Sequence, residues 1–307
     1  MIAAICNGDG GHMDLVDLET FGAVAEHGSV TRAAGALNTV QSNVTARLKA
    51  LEAELGTRLF ERHSRGVALT AAGHRLLPYA ERIRALAADA RRAAADDGVP
   101  RGPLRLGAME TTAALRLPAL LASYARACPE VELVVGTGPT AALVLDVLEH
   151  RLDVALVAGP VAHPDLHEEA AFEEELVVVT APGVRGLDAL FRAGNLKVLM
   201  FRAGCSYRQR LEVVLAARGA AGVRRLEFGT LDGIVGCVAA GVGVTLLPRG
   251  VAEPARREGR VAVHELPAAE ARVGTVLVRR CDAYISSALG AFLAAVRDCR
   301  PRPVAAE

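Results

Sequence analysis

Between residues 15 and 56 the apolar positions return at helical spacing three times in succession. Leu15, Leu18, Phe21, Val24 and Ala25 share one face, which predicts a helix over 15–27, with Asp14 and Asp17 near its start to complement the helix dipole. Gly28 breaks the pattern and Ser29 can cap a second, short helix carrying Ala33, Ala34 and Leu37. After a break at Asn38-Thr39, Val44, Leu48 and Leu51 fall at i, i+4 and i+7, the buried stripe of a third helix that Gly56 stops. Val40 stands where a serine or threonine would cap this helix, which leaves Thr39 or Asn38 to do so. The opposite face carries Gln41, Ser42, Asn43, Thr45, Arg47 and Lys49, short hydrogen-bonders and cations suited to base edges and phosphates in a major groove. Two helices so spaced, the second with such a face, are the helix-turn-helix arrangement.

Beyond it, residues 58–62 and 66–70 read as two short strands flanking His63-Ser64-Arg65, a wing whose arginines can reach phosphates. Residues 70–95 form one long helical stretch, with Pro78 able to kink its first turns. Its stripe of Leu76, Leu77, Ala80, Ile83, Leu86, Ala87 and Ala90 predicts burial against a second copy. Residues 96–103 (DDGVPRGP) are a linker by composition. The rest alternates. Strands are predicted at 104–107, 131–136, 154–158, 175–180, 198–201, 226–228, 244–247, 261–265 and 273–278, and helices at 115–128, 140–150, 207–218, 231–240 and 285–299. Such β/α alternation predicts parallel sheets with helices on both faces, and the strands are too many for one compact unit, so two α/β lobes are expected.

Composition narrows the reading. A chain of 307 residues, 51% hydrophobic, has core enough for two or three domains. Net charge is zero, which opposes bulk coating of nucleic acid, yet residues 29–66 hold six cations (Arg32, Arg47, Lys49, Arg58, Arg62, Arg65) against three acids (Glu52, Glu54, Glu61), a local +3. The six cysteines form no C-x-x-C pair, so no metal and no cofactor is expected, and scattered thiols fit a reducing, cytoplasmic setting. No apolar run approaches the roughly 20 residues that span a bilayer, and no secretion signal is visible. Residues 1–12 read as a disordered tail, with Met13 a candidate start. No H-E-x-x-H cluster or G-x-S-x-G elbow is present, and AAGVGV (239–244) has the wrong helix-to-strand order for a phosphate-binding loop, so catalysis is not expected.

Five ordered blocks carry a resemblance: AAGALNTVQSNVTARLKALEAELGTRLFERHSRGVALTAAG (33–73), LRLGAMETTAALRLP (104–118), RLDVALVAGP (151–160), FRAGCSYRQ (201–209) and FGTLDGIVGCVAAGVGVTLLPRG (228–250). The chain after Met13 resembles LysR-type transcriptional regulators. The resemblance implies a winged helix-turn-helix over 13–71 and a linker or dimerisation helix with hinge over 72–102. It also implies a two-lobed α/β effector domain over 103–307 similar to periplasmic solute-binding proteins, with lobe I at 103–175 and 267–307 and lobe II at 176–266. It implies DNA contacts from Arg32, Gln41, Ser42, Asn43, Thr45, Arg47, Lys49, Arg62 and Arg65, on double-stranded DNA with an interrupted palindrome read by a homodimer or homotetramer. RNA polymerase is the further partner.

Four segments share one design in which small polar residues follow a strand and open a helix: 109–112, 137–140, 203–206 and 229–232. Helix starts expose unpaired N–H groups, and the resemblance implies that the four turns meet in one effector cleft. The candidate contacts are Met109, Glu110, Thr111, Thr112, Thr137, Thr140, Arg202, Cys205, Ser206, Thr230 and Asp232. Arg202 favours a small carboxylate, whereas Glu110 and Asp232 oppose a strongly anionic one, so the charge class stays open. Cys205 resembles the peroxide-sensing cysteine of one branch of the family, which makes thiol-based sensing an alternative. That branch's second cysteine, nine residues on, is Val214 here, and Cys237 is the nearest substitute. A pure solute-binding protein is the remaining alternative, opposed by the N-terminal DNA reader.

Overall fold

The chain divides into two units, residues 1–95 and 96–307, and the computed structural model describes residues 13–63, 66–192, 196–201, 206–220 and 222–299. The first unit contains α1 (Leu15–His27), α2 (Val30–Ala36), α3 (Gln41–Glu54), the hairpin β1 (Phe60–His63) and β2 (Gly66–Leu69), and α4 (Ala71–Ala95). Asp14 caps α1 in a reciprocal box with Asp17, and the Ser29 hydroxyl accepts the Arg32 N–H to cap α2. The start of α3 departs from expectation, because neither Thr39 nor Asn38 caps it. Asn38 takes the left-handed turn between the helices at φ 50°, and the Thr39 hydroxyl is taken by Asn43 Nδ2 at 3.0 Å.

Phe21, Val24, Val44, Leu51 and Leu59 are buried in one core under α4, with Phe21 and Phe60 stacked at a tilt 5.3 Å apart. Burying Val44, Leu48 and Leu51 contributes about 1.5–3 kcal/mol each and fixes which face of α3 points out. The wing leans on the turn before α2, where Gly28 and Gly66 both take positive φ and Val67 N–H donates to Gly28 O at 3.0 Å; a side chain on Gly66 would strike that carbonyl. The stripe of α4 divides. Leu76, Leu77 and Ala80 serve the unit's own core, while Tyr79, Ile83 and Leu86 stay exposed at i, i+4 and i+7; the helix continues through Pro78. The tail at 1–12 lies outside the described residues.

The second unit runs β3 (Gly102–Ala108), α5 (Glu110–Leu115), α6 (Leu117–Ala127), β4 (Val131–Thr137), α7 (Thr140–Leu148), β5 (Val154–Ala158) and β6 (Leu166–Thr180). It continues with α8 (Leu187–Arg192), β7 (Lys197–Phe201), α9 (Ser206–Ala217), β8 (Arg224–Phe228), α10 (Leu231–Ala239) and β9 (Thr245–Pro248). Then come α11 (Arg249–Arg257), β10 (Ala262–Glu265), α12 (Ala268–Ala271), β11 (Arg272–Arg280) and α13 (Ser287–Asp298). The sheets are mixed, not parallel as the alternation predicts. β3 pairs parallel with β4 and β5, and β7 with β8, but β11 is antiparallel to both β5 and β6, and β6 is antiparallel to β9 and β10.

The cause is β6, fifteen residues long where a short strand over 175–180 is predicted. Its first part, through Glu175, pairs with β11 in one lobe; from Leu176 onward it pairs with β9 and β10 in the other. One hydrophobic cluster includes Met109, Leu143 and Val157 of the first lobe and Val198, Tyr207 and Leu211 of the second, so the lobes share a core as well as a strand. The helix predicted over 115–128 is α6, with Pro118 in its first turn, and the short α5 precedes it.

A contrast of two glycines tests the packing of the first unit. A Cβ on Gly73 would lie 2.3 Å from the Leu59 carbonyl oxygen, whereas one on Gly35 meets nothing. Gly73→Ala is expected to lower the thermal midpoint of this unit, and Gly35→Ala to raise its stability by up to about 1 kcal/mol through helix propensity. Scanning calorimetry of the two variants checks both signs.

Candidate nucleic-acid interface and interlobe cavity

The buried stripe of α3 turns Gln41, Ser42, Asn43 and Lys49 outward, all exposed, with Thr45 half-buried beside them. Thr45 donates its hydroxyl back to Gln41 O at 2.9 Å, and Thr31 Oγ1 on α2 reaches Gln41 Oε1 at 3.3 Å. The exposed set keeps donors and acceptors free for base edges: the Ser42 hydroxyl, the Gln41 amide nitrogen and the Lys49 ammonium. Arg32 is exposed but turns its guanidinium back onto His27 O.

Arg47 departs most from the sequence reading. Its guanidinium points back to α1, bonding Asp17 Oδ1 at 2.8 Å with Asp14 Oδ1 3.6 Å away. The Asp17 hydrogen bond raises the guanidinium pKa above its ordinary value. Asp14 is held below the usual carboxylate range, chiefly by the Asp17 N–H, with the Arg47 charge adding to it. Such a partly exposed pair adds little stability, so its effect is angular: it ties the middle of α3 to the capping box of α1. The wing's Arg65 and the side chain of Arg62 lie outside the described residues. Behind the wing, Glu52 Oε1 accepts the Leu59 and Phe60 N–H groups at 2.7 and 3.2 Å, joining the end of α3 to β1.

In the second unit, β3, β4, β7 and β8 all end on one cavity of about 240 Å³ between the lobes. Carboxyl ends of parallel strands line such crevices because helix starts follow them. Met109, Glu110, Thr111, Thr137 and Thr140 line it from the first lobe. Phe201, Tyr207 and Phe228 close it from the second. Among the described residues, Thr111 Oγ1 bonds Tyr207 Oη across it at 3.4 Å, and Ser206 Oγ bonds Thr140 Oγ1 between the lobes at its edge at 3.2 Å. Thr137 donates to Glu110 Oε1 at 2.8 Å. A wider adjoining opening of about 630 Å³ shares Thr140 and is lined by Ser206, Gln209 and Arg210.

Three candidates do not line this cavity. Thr112 is buried and does not line the cavity. Thr230 caps α10, accepting the Gly233 N–H at 3.2 Å, and Asp232 is exposed in the first turn of that helix. Arg202 and Cys205 lie outside the described residues, while Val214 is buried in the shared core and Cys237 packs with the core of the second lobe. The aromatic wall was not anticipated. Phe201 and Phe228 end their strands directly before the small polar turns that the pattern singles out, and that adjacency is the signal that marks them.

The comparisons with known proteins agree over more than nine-tenths of the chain. The model of the bacterial regulatory helix-turn-helix protein, lysR family, matches residues 15–74, and that of the LysR substrate binding domain matches residues 97–300. The HTH-type transcriptional regulator GltR of Bacillus subtilis (strain 168) is 42% identical over 286 residues, covering 93% of this chain and 97% of that protein. The uncharacterized HTH-type transcriptional regulator YusT of the same organism is 45% identical over 281 residues, covering 92% and 94%. Full-length CbnR complexed with its target DNA superposes with a TM-score of 0.64 at 26% identity, covering 93% of this chain and 99% of CbnR. A full-length OxyR variant from Pseudomonas aeruginosa reaches a TM-score of 0.71 at 22% identity over 94% and 95% of the two chains, a likeness of fold.

Salt dependence separates the two kinds of cation on α3. Lys49→Ala is expected to weaken DNA binding and to lower the slope of log affinity against log salt by about 1, the loss of one phosphate contact. Arg47→Met is expected to weaken binding with the slope unchanged if the guanidinium keeps its bond to Asp17 of α1 in the complex. Fluorescence anisotropy across a salt series reads both.

Proposed function

The chain belongs to the LysR family of bacterial helix-turn-helix regulators, and from that premise we propose how its parts divide the work. It is a DNA-binding transcriptional regulator with an effector-binding domain. In the proposed reading α3 enters the major groove. Gln41, Ser42 and Asn43 meet base edges, Thr45 and Lys49 lie along the groove, and Arg47 sets the angle of the helix. Arg32 and the wing arginines Arg62 and Arg65 serve the backbone. The observation that carries this is the division of α3 into a buried Val44/Leu48/Leu51 stripe and an opposite face of exposed, short polar side chains. A good bidentate base contact is worth about 1–3 kcal/mol of discrimination.

The exposed Tyr79, Ile83 and Leu86 of α4 support pairing with a second copy, so that a two-fold protein reads an interrupted palindrome. A small-molecule effector occupies the cavity and favours one arrangement of the lobes. It acts only through its different affinity for the two arrangements, and the change reaches RNA polymerase through the placement of the DNA-binding heads. The protein works in the cytoplasm as a regulator and not as a catalyst; no helix among the described residues is long and apolar enough to cross a membrane.

Footprinting of the full chain on DNA enriched from its source genome is expected to show two protected half-sites separated by about 10 base pairs or a multiple of that. The double variant Tyr79→Glu/Leu86→Glu is expected to sediment as a monomer and to lose the paired footprint. A dimer surviving these two charges would refute the role given to α4, and the absence of any preferred DNA site would refute the reading of α3.

A further inference from the structure

The side chains and charge of the interlobe cavity select a class of ligand, an inference that rests on reading this cavity as the effector site. Each side-chain donor on its first-lobe wall is already committed within the protein. The Thr137 hydroxyl donates to Glu110 Oε1 at 2.8 Å, the Thr111 hydroxyl to Tyr207 Oη at 3.4 Å, and the Thr140 hydroxyl to Met109 Sδ at 3.5 Å. Pro139, also in the wall, has no N–H to offer. What the wall's side chains have left over is acceptors and one negative charge, beside the uncapped first-turn N–H groups of α5 and α7. Among the described lining residues Glu110 is the one charged side chain, half-exposed, and its Oε2 makes no hydrogen bond or ion pair to a described residue. The rest of the lining is apolar or aromatic: Met109, Phe201, Phe228 and the ring of Tyr207.

A carboxylate can meet backbone N–H groups of such a wall but no free side-chain donor, and it places a like charge beside Glu110. An ammonium brings three donors and no acceptor, and its charge is opposite. Stacking on Phe201 or Phe228 suits a flat or branched apolar body, and a cation beside aromatic faces gains further. We propose that the cavity takes a small organic amine, its protonated head on Glu110 and Thr137 and its apolar body between Phe201 and Phe228, instead of the carboxylate class that Arg202 raised.

Matched probes of opposite charge test this. Phenethylamine and 3-phenylpropanoate are titrated calorimetrically into the full chain, into Glu110→Gln and into Phe228→Ala. The expected result is that phenethylamine binds at least about tenfold more tightly than 3-phenylpropanoate, the ratio that one charge-assisted hydrogen bond supplies. Glu110→Gln is expected to remove that preference by weakening the amine about tenfold, and Phe228→Ala to weaken binding of the amine as well. Equal or tighter binding of 3-phenylpropanoate, or an amine affinity indifferent to Glu110→Gln, overturns the amine class. If the carboxylate then binds and depends on Phe228, the cavity remains the effector site and only the class falls. If neither probe binds, or neither depends on Phe228, both the class and the site assignment fall.

Discussion

One continuous strand carries both lobes of the effector domain, and the rest of that domain is arranged around it. β6 changes partner between Glu175 and Leu176 without a loop, from β11 on one side to β9 and β10 on the other. A strand rich in carboxylates persists here because arginines from other elements meet them. Arg297 bonds Glu169 at 2.8 Å, Arg116 bonds Glu174 at 2.6 Å, and Arg249 bonds Glu175 at 2.8 Å. Arg249 also reaches Glu265 at 3.1 Å, at the end of β10 where the chain returns, so one guanidinium holds both crossings; its hydrogen bond, with its charge adding, keeps Glu175 below the usual carboxylate range. Such partly exposed pairs add little stability individually. Their effect is to fix register and angle at the place where the lobes meet, and the cavity lies between those lobes.

The first unit follows the same logic on a smaller scale. Hydrophobic burial decides which face of α3 points outward, and a polar tie decides its angle. Removing Val44 or Leu48 would cost the core, whereas removing Arg47 would leave a folded unit in which α3 has lost its polar tie to α1. Affinity for DNA and stability of the unit are therefore separable properties of neighbouring residues on one helix.

Local features of this architecture were legible along the chain. α1 has its capping box and a left-handed Gly28 after it, and the predicted span matches the observed helix. β5, a buried apolar run, is also met at both ends. What was hidden depends on distant partners. Residues 166–174 carry five carboxylate and imidazole side chains, His167, Glu168, Glu169, Glu173 and Glu174, so their alternation is masked unless Arg116, Arg272 and Arg297 are known to lie opposite. Arg47 reads as a groove contact because Asp17, thirty residues earlier, gives no local sign of facing it. Tyr79 was missed as part of the exposed face of α4 because the neighbouring Leu76, Leu77 and Ala80 dominate the periodicity and pack inward. Among the cleft residues, those at strand ends were readable from turn chemistry, but the aromatic wall came from the other lobe and only the fold brings it across.

In the proposed function, the arrangement of the lobes governs how DNA is held. The hydroxyl oxygens of Thr140 and Ser206 lie 3.2 Å apart across the cleft, so cysteines at these two positions can bridge it. With Cys205 replaced by serine, oxidised and reduced forms of Thr140→Cys/Ser206→Cys can be compared by footprinting and DNA bending on one operator. A footprint and bend that change on oxidation and return with reductant are the predicted result. Identical DNA complexes from the bridged and unbridged protein would contradict it.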